Sequence, residues 1–429
     1  MGPKQIVITT FGSLGDLHPY LALALGLQAR GHRVTIATSP IYRPKVESEG
    51  IGYHAVRPDL SPNDTEMLRL VMDQKKGSER VIRQVILPHL RDSYDDLSQA
   101  VAGADLLITH PITYAGPLVA AKTGIRWVSS VLAPISFLSR YDPSVLAPAP
   151  WLAKLYPVGI AGVINTLGKF AARSWSEPIR QLRAEIGLLP GGDPIFEGQH
   201  SPHLVLAMFS RLLGEPQPDW PPHTLVTGFA FYDRLDKGMG TSSELTQFLD
   251  SGPAPIVFTL GSSAVMVAGD FYVESAAAAA ELGRRAVLLV GRDPRNLPAR
   301  TLPAGVILAE YAPFSEIFPR AAAIVHQGGA GTTAQALRSG RPMLVVPFAH
   351  DQPDNAARVV RLGVARQIAR SQYRAGRVAA ELRKMLEDPR YEDRAAEAGR
   401  RIRSEDGVAA ACDAIEQQAV SVRAGYSTV

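Results

Sequence analysis

The chain has one cysteine, Cys412, among 429 residues, so no disulfide can form within it. A disulfide-stapled scaffold is excluded, and a lone thiol in an alanine-rich helical pattern reads as a buried structural side chain rather than a nucleophile. Long apolar runs are missing too. The most apolar stretch outside the expected strands, residues 151–175, is broken by Lys154, Pro157, Asn165 and Lys169, whereas a membrane-spanning helix needs about 20 apolar residues in a row. The first residues show no basic start, apolar core and cleavage site, so the expected location is the cytoplasm, with peripheral membrane contact left open. Neither sign of charge dominates: 45 Lys and Arg stand against 41 Asp and Glu, a formal net charge of +4, and the basic residues are scattered. No nucleic-acid partner is expected, since residues 390–403 mix Glu, Asp and Arg at the spacing of a salt-bridged exposed helix. No short-period repeat is visible.

What is present is ordinary globular material, 46% hydrophobic and 20% charged. The length exceeds what one hydrophobic core usually serves, so two domains with a cleft between them are expected. Residues 4–10 form a β-branched run that leads into a glycine-rich turn. Apolar residues at helical spacing follow over 19–30, and a second strand pattern follows over 33–38. This is a βαβ unit, which implies a parallel sheet with both faces covered. The alternation continues through strands at 104–109 and 126–131 around a helix at 116–123. Composition then shifts to Pro, Gly and Asp, so an interdomain linker is placed at 211–251. A second α/β series runs from 252 to 390, with strands expected at 255–260, 285–290, 306–308, 323–326 and 343–346. The fold class is therefore α/β, with an N-terminal domain at 1–210. A helical segment at 391–429 is expected to pack back on that domain.

Ligands of open parallel sheets bind beyond the carboxyl ends of the strands. Three loops there carry chemistry: residues 12–19, with Gly15, Asp16 and His18; Gly261-Ser262-Ser263; and residues 326–333, with His326, Gly328, Gly329, Ala330, Gly331 and Thr332. The third has the anatomy of a phosphate site, because glycines let the backbone approach an anion and the next helix presents unpaired N–H groups. A purely structural tight turn is the competing reading. What decides it is the next strand end, where Asp351, Gln352 and Asn355 offer acceptors and donors suited to sugar hydroxyls.

The stretch from Tyr311-Ala312-Pro313 through His326-Gln327-Gly328-Gly329-Ala330-Gly331-Thr332 to Asp351-Gln352-Pro353-Asp354-Asn355 resembles the donor signature of the UDP-glycosyltransferase family. Residues 11–35 resemble the N-terminal signature of the same family, in its bacterial branch near rhamnosyltransferases and sterol or flavonoid glucosyltransferases. The resemblance implies the GT-B fold, two Rossmann-like domains facing across a cleft. It further implies inverting transfer from a nucleotide sugar, no metal and no cofactor beyond that co-substrate. In its terms His326 and the backbone of 328–332 hold the diphosphate, with Gly15, Ser262 and Ser263 alongside. Asp351 and Gln352 bind sugar hydroxyls, Asn355 supports the loop, and Tyr311 and Ala312 meet the base. Phe314 departs from the family by replacing a commonly polar residue. Ala334 departs more informatively, standing where many UDP-sugar users carry a ribose-binding Glu, and Gln335 beside it is an uncertain substitute.

Inverting transfer needs a base for the acceptor hydroxyl. Where many members place a His and a supporting Asp, this chain has Asp16 and His110, and His18 is a third candidate. Asp16 can equally be a turn or helix cap, and His110 a structural histidine. The irregular apolar stretch with Leu132, Ile135, Phe137, Leu138, Tyr141 and Trp151 is the expected acceptor lining. It suits a lipophilic or aromatic small molecule such as a polyphenol, sterol or hydroxy fatty acid, against the alternative of ordinary helix packing. Rival functions are a sugar-nucleotide 2-epimerase of the same architecture and an inactive nucleotide-sugar-binding protein.

Overall fold

The computed structural model describes residues 2–59, 65–145, 158–234, 240–297 and 301–421. Two parallel sheets organise the chain. The first contains β1 (Gln5–Thr9), β2 (Arg33–Thr38), β3 (Gly52–Ala55), β4 (Leu106–Thr109), β5 (Arg126–Val131), β6 (Val205–Ala207) and β7 (Thr224–Val226), in the order 3-2-1-4-5-6-7. The second contains β8 (Ile256–Thr259), β9 (Ala286–Leu289), β10 (Val306–Ala309), β11 (Ala323–His326), β12 (Met343–Val345) and β13 (Ala365–Gln367), in the order 10-9-8-11-12-13. Each sheet reverses its winding once, between β1 and β4 and between β8 and β11. Those switch points open the crevices in which ligands of doubly wound sheets bind.

Six helices matter for the site: α1 (Leu14–Ala29), α2 (Phe271–Glu281), α3 (Ala330–Ser339), α4 (Gln352–Arg361), α5 (Pro389–Arg403) and α6 (Gly407–Ser421). The closing segment divides between the two sheets. In α5, Gly399 lies so close to Gly340 that a Cβ on it would come within 2.7 Å of the Gly340 Cα, and Arg403 donates to the Arg338 carbonyl at 2.6 Å. By contrast, α6 returns to the first sheet and covers α1: Ala411, Cys412 and Ile415 share a buried cluster with Leu23 and Leu27. Arg30 binds Asp413 and Glu416 at 2.6 and 2.7 Å. Within 211–251 lie β7, which pairs with β6, and a helix at Ser243–Asp250. The domains also share apolar packing, since Phe209, Trp220 and Phe229 belong to the cluster that contains Ile317, Leu337 and Val359.

Candidate active site

Thr9 and Thr109 are paired neighbours in the sheet, so the loop after β1 and His110 after β4 leave the same edge side by side. Ser13 caps α1: its hydroxyl accepts the Gly15 N–H at 3.2 Å, while Asp16 Oδ2 accepts the Ser13 N–H at 2.7 Å and its hydroxyl at 3.2 Å. This reciprocal box serves otherwise unpaired N–H groups. Gly12 makes room for it, because a Cβ there would sit 2.3 Å from Asp16 Oδ2, and its φ of +135° is unsuited to other residues. The second oxygen, Oδ1, faces His110 Nε2 at 3.5 Å. Capping and pairing are thus divided between the two oxygens of one carboxylate. Burial pushes the Asp16 carboxyl up, but the His110 imidazole and the Ser13 donors outweigh it and leave Asp16 below the usual range. Asp16 is the accessible member, its side chain 34% exposed against 7% for His110. His110 Nδ1 is buried without a hydrogen-bond partner. The His18 ring packs 4.9 Å from that of Tyr232.

Across the cleft, β11 ends at His326 and α3 starts at Ala330 after the extended cap Gly329. Gly328 adopts φ +91°, and a Cβ on it would meet Val345 Cγ1 at 2.8 Å. His326 faces inward. Its imidazole is fully buried, Nδ1 accepts the Gly328 N–H at 3.1 Å, and Nε2 lies 3.4 Å from Met343 Sδ. Burial depresses its pKa to about 3, so a neutral ring braces the glycine turn from beneath. Asn355 ties the turn to the next strand end, donating from Nδ2 to the Gly328 carbonyl at 2.9 Å and to Asp351 Oδ2 at 2.7 Å. Gln352 Oε1 is occupied by the Phe348 and Ala349 N–H groups at 2.8 and 3.1 Å. Gln327 Oε1, Thr333 Oγ1 and Asn355 Oδ1 are buried around this loop with no partner. Burial and then the charge of Asp16 push the Asp351 carboxyl up to about 7, against a smaller opposing effect of Asn355. The two acids therefore face a common space from opposite domains.

Ser262 and Ser263 lie on a short helical turn, Gly261–Ala264, after β8, the strand beside β11. Tyr311 is exposed beyond β10, whereas the Ala312 side chain is fully buried. Phe314 stacks on Phe318 at 4.4 Å. Ala334 packs inward with Ala336 and Leu337, and the Gln335 amide donates to Asp233 at 2.9 Å.

The residues of the acceptor-side expectation divide between core and surface. Phe137 is core: its ring lies 4.3 Å from that of Trp220 and 6.3 Å from that of Phe209. Leu132, Ile135 and Leu138 are half-buried and Tyr141 is exposed, while Trp151 falls outside the described residues. A small cavity of about 30 Å³ that the sequence did not disclose lies behind the loops after β1 and β4. It is lined by Phe11, Val56, Ile86, Leu90, Ile112 and Tyr114, among others. Thr10, also in its wall, donates to the Asp16 carbonyl at 3.0 Å. The only sequence signal was position, since Phe11 and Ile112 follow the two strands that carry Asp16 and His110.

A charged latch joins the loop at 139–145 to α4. Buried Arg358 binds Asp142, donates to Asp354 Oδ2 at 2.7 Å and donates to the Leu213 carbonyl at 2.8 Å. Asp354 Oδ1 accepts the Val145 N–H at 2.9 Å, and Arg361 reaches Asp142 at 2.9 Å. Among the described residues no group of three or more His, Cys, Asp or Glu could hold a metal ion, and no helix is long and apolar enough to cross a membrane.

Residues 6–101 match the glycosyltransferase family 28 N-terminal domain, and residues 277–413 match the erythromycin biosynthesis protein CIII-like C-terminal domain. An O-mycaminosyltylonolide 6-deoxyallosyltransferase of Streptomyces fradiae is 34% identical, over 97% of this chain and 97% of that protein. A sterol 3-beta-glucosyltransferase of Cryptococcus neoformans is 28% identical over 96% of this chain but only 27% of its own length. Among solved structures, the kitacinnamycin glycotransferase aligns with a TM-score of 0.69 at 25% identity, covering 97% of this chain and 99% of that one. A spinosyn rhamnosyltransferase complexed with thymidine diphosphate aligns at 0.65 and 18% identity, covering 96% and 100%. Two sheets with this winding, loops of this kind at their facing edges and likeness along nearly the whole length lead to one statement: the chain belongs to the GT-B glycosyltransferases, in the family of the Streptomyces fradiae enzyme.

Proposed function

We propose that the chain transfers a hexosyl group, glucose or rhamnose, from a UDP- or dTDP-sugar to a hydroxyl of a lipophilic or aromatic small molecule, with inversion and without a metal. The observation that carries this reading is the Asp16–His110 pair at the strand ends of the first sheet, with the charge of Asp16 felt at Asp351 of the second. The acceptor hydroxyl lies at Asp16. As that oxygen bonds to the anomeric carbon, its proton passes to the Asp16 carboxylate. The carbon–oxygen bond to the diphosphate breaks on the opposite face. His110 is too buried to meet the acceptor, so it orients Asp16 and shares the incoming proton. The N–H groups of residues 328–332 and the positive end of α3 stabilise the departing charge.

On the donor side, Ala334 removes a carboxylate that would grip both ribose hydroxyls, so a deoxyribose nucleotide is accepted. The thymidine diphosphate held by the spinosyn enzyme and the 6-deoxy sugar in the name of the Streptomyces relative support that choice. The names of the relatives widen the acceptor class from polyphenols, sterols and hydroxy fatty acids to glycosylated lactone natural products. A mass-spectrometric screen of UDP- and dTDP-sugars against pooled lipophilic hydroxy compounds tests the proposal. Glycosylated product is expected; an epimerised donor formed without acceptor, or donor binding with no product from any pool, would overturn it.

A further inference from the structure

The C-terminal edge of the second sheet holds another cavity, which shares no lining residue with the donor loops. It encloses about 220 Å³ between residues 268–271, Val346, Phe348 and the turn that carries Arg370, Tyr373 and Arg374. At roughly 30 Å³ per liquid water, that is room for a small polar organic molecule. Arg370 forms one wall, with its guanidinium 4.2 Å from the centre of the Phe348 ring and Nη2 donating to the Val267 carbonyl at 2.7 Å. No carboxylate among the described residues offsets it, and burial pulls its pKa down. A guanidinium has five N–H donors, so a single carbonyl leaves most of this half-buried cation unserved.

The rest of the wall points the same way. Asp270, at the N-cap of α2, makes no side-chain bond to the helix; the Phe271 N–H is taken by the Ala268 carbonyl at 3.2 Å, which leaves those of Tyr272 and Val273 as the leading N–H groups without a side-chain acceptor. Arg374 brings a second guanidinium, held loosely at 3.9 Å from Glu274. Phe271 and Tyr373 stack 4.8 Å apart as an apolar floor. The exposed Asp270 carboxylate repels a bare anion but accepts from a hydroxyl, so the lining selects a molecule with both groups.

We propose that this cavity binds a monosaccharide phosphate, with its phosphate on Arg370 and the leading N–H groups of α2 and a sugar hydroxyl on Asp270. Calorimetry of the full chain with glucose 1-phosphate as probe tests it, with the donor cleft already filled by excess UDP or dTDP. The wild type should bind the probe, and Arg370→Gln should weaken it roughly tenfold or more. Nucleoside diphosphate affinity should be unchanged in the variant, which also confirms that it folds. Asp270→Asn should bind inorganic phosphate more tightly than the wild type does. No binding of the probe at about 10 mM, equal affinity in Arg370→Gln, or displacement of the probe by the nucleotide would each overturn the assignment.

Discussion

Asp16 uses one oxygen to close the start of α1 and the other to meet His110, and that division can be tested at the bench. Asp16→Ala and His110→Ala should each lower kcat by roughly 100-fold or more, the scale of lost general-base assistance, with donor binding little changed. Asp16→Ala should also cost about 1 kcal/mol of stability through the cap, so its melting temperature separates the two effects. His18→Ala, on the Tyr232 side, should keep near-normal turnover; steady-state kinetics of the three variants decide. A second residue-scale expectation concerns Asp351, whose carboxyl sits near 7 rather than 3.8. Between those values the folded chain holds a proton that the unfolded chain has released, so this group makes stability fall as pH rises from about 4 to about 7. Thermal melts across that range should show the trend flattened in Asp351→Asn. An ionised Asp351 is also the better acceptor for sugar hydroxyls, so the donor KM should fall as pH rises through about 7. Asp16→Asn should move that midpoint downward by removing a like charge. The acid and the imidazole were legible in the sequence because both follow strand ends. The inward orientation of His326 was not, since a residue at the last position of a strand can face either way.

At the scale of elements, α4 is bound to the loop at 139–145 along its whole length, through Asp354, Arg358 and Arg361. Arg358→Ala would leave buried Asp354 without its cation and Asp142 with Arg361 alone, a loss of order 3–5 kcal/mol for a broken buried pair. Calorimetric unfolding should show it as a large drop in melting temperature. Asp142→Asn keeps the size of the side chain and should cost less stability while raising the KM of both substrates, because the loop at 139–145 and the donor helix would no longer move as one. Longer strands could be read from β-branched runs, and β2, β5 and β11 fall on the expected residues. The three-residue β6, β7 and β13 carry too little pattern to be separated from loops. Phe137 shows a related limit: apolar character says that a side chain is covered, not by what. The pocket lined by Phe11, Ile86 and Leu90 joins segments about 80 positions apart, a distance that no local pattern spans.

For the whole molecule, the two-sheet design and the family were available from alternation and motif, whereas the cross-domain latch and the second cavity required three dimensions. The choice of nucleotide is a property of the assembled cleft. With Ala334 packed inward and Gln335 engaged by Asp233, discrimination between UDP- and dTDP-linked forms of one sugar should stay under about 100-fold in kcat/KM, or about 2.7 kcal/mol. Parallel kinetics with both donors measure it. A chelator should leave turnover unchanged, and restoration of lost activity by magnesium or manganese would contradict the role given to the α3 terminus.

The return of α6 to α1 has a consequence for how the protein is made. Gly26 fits against Val408 and Cys412 so closely that a Cβ would come within 2.5 Å of Val408 Cγ1, and Leu23 and Leu27 share their buried cluster with Ala411 and Ile415. At roughly 5–20 residues per second of synthesis, the first sheet emerges long before its last covering helix exists. The domain that begins to fold first is completed last, and until then one apolar face of α1 stays open to the chaperones of the cell.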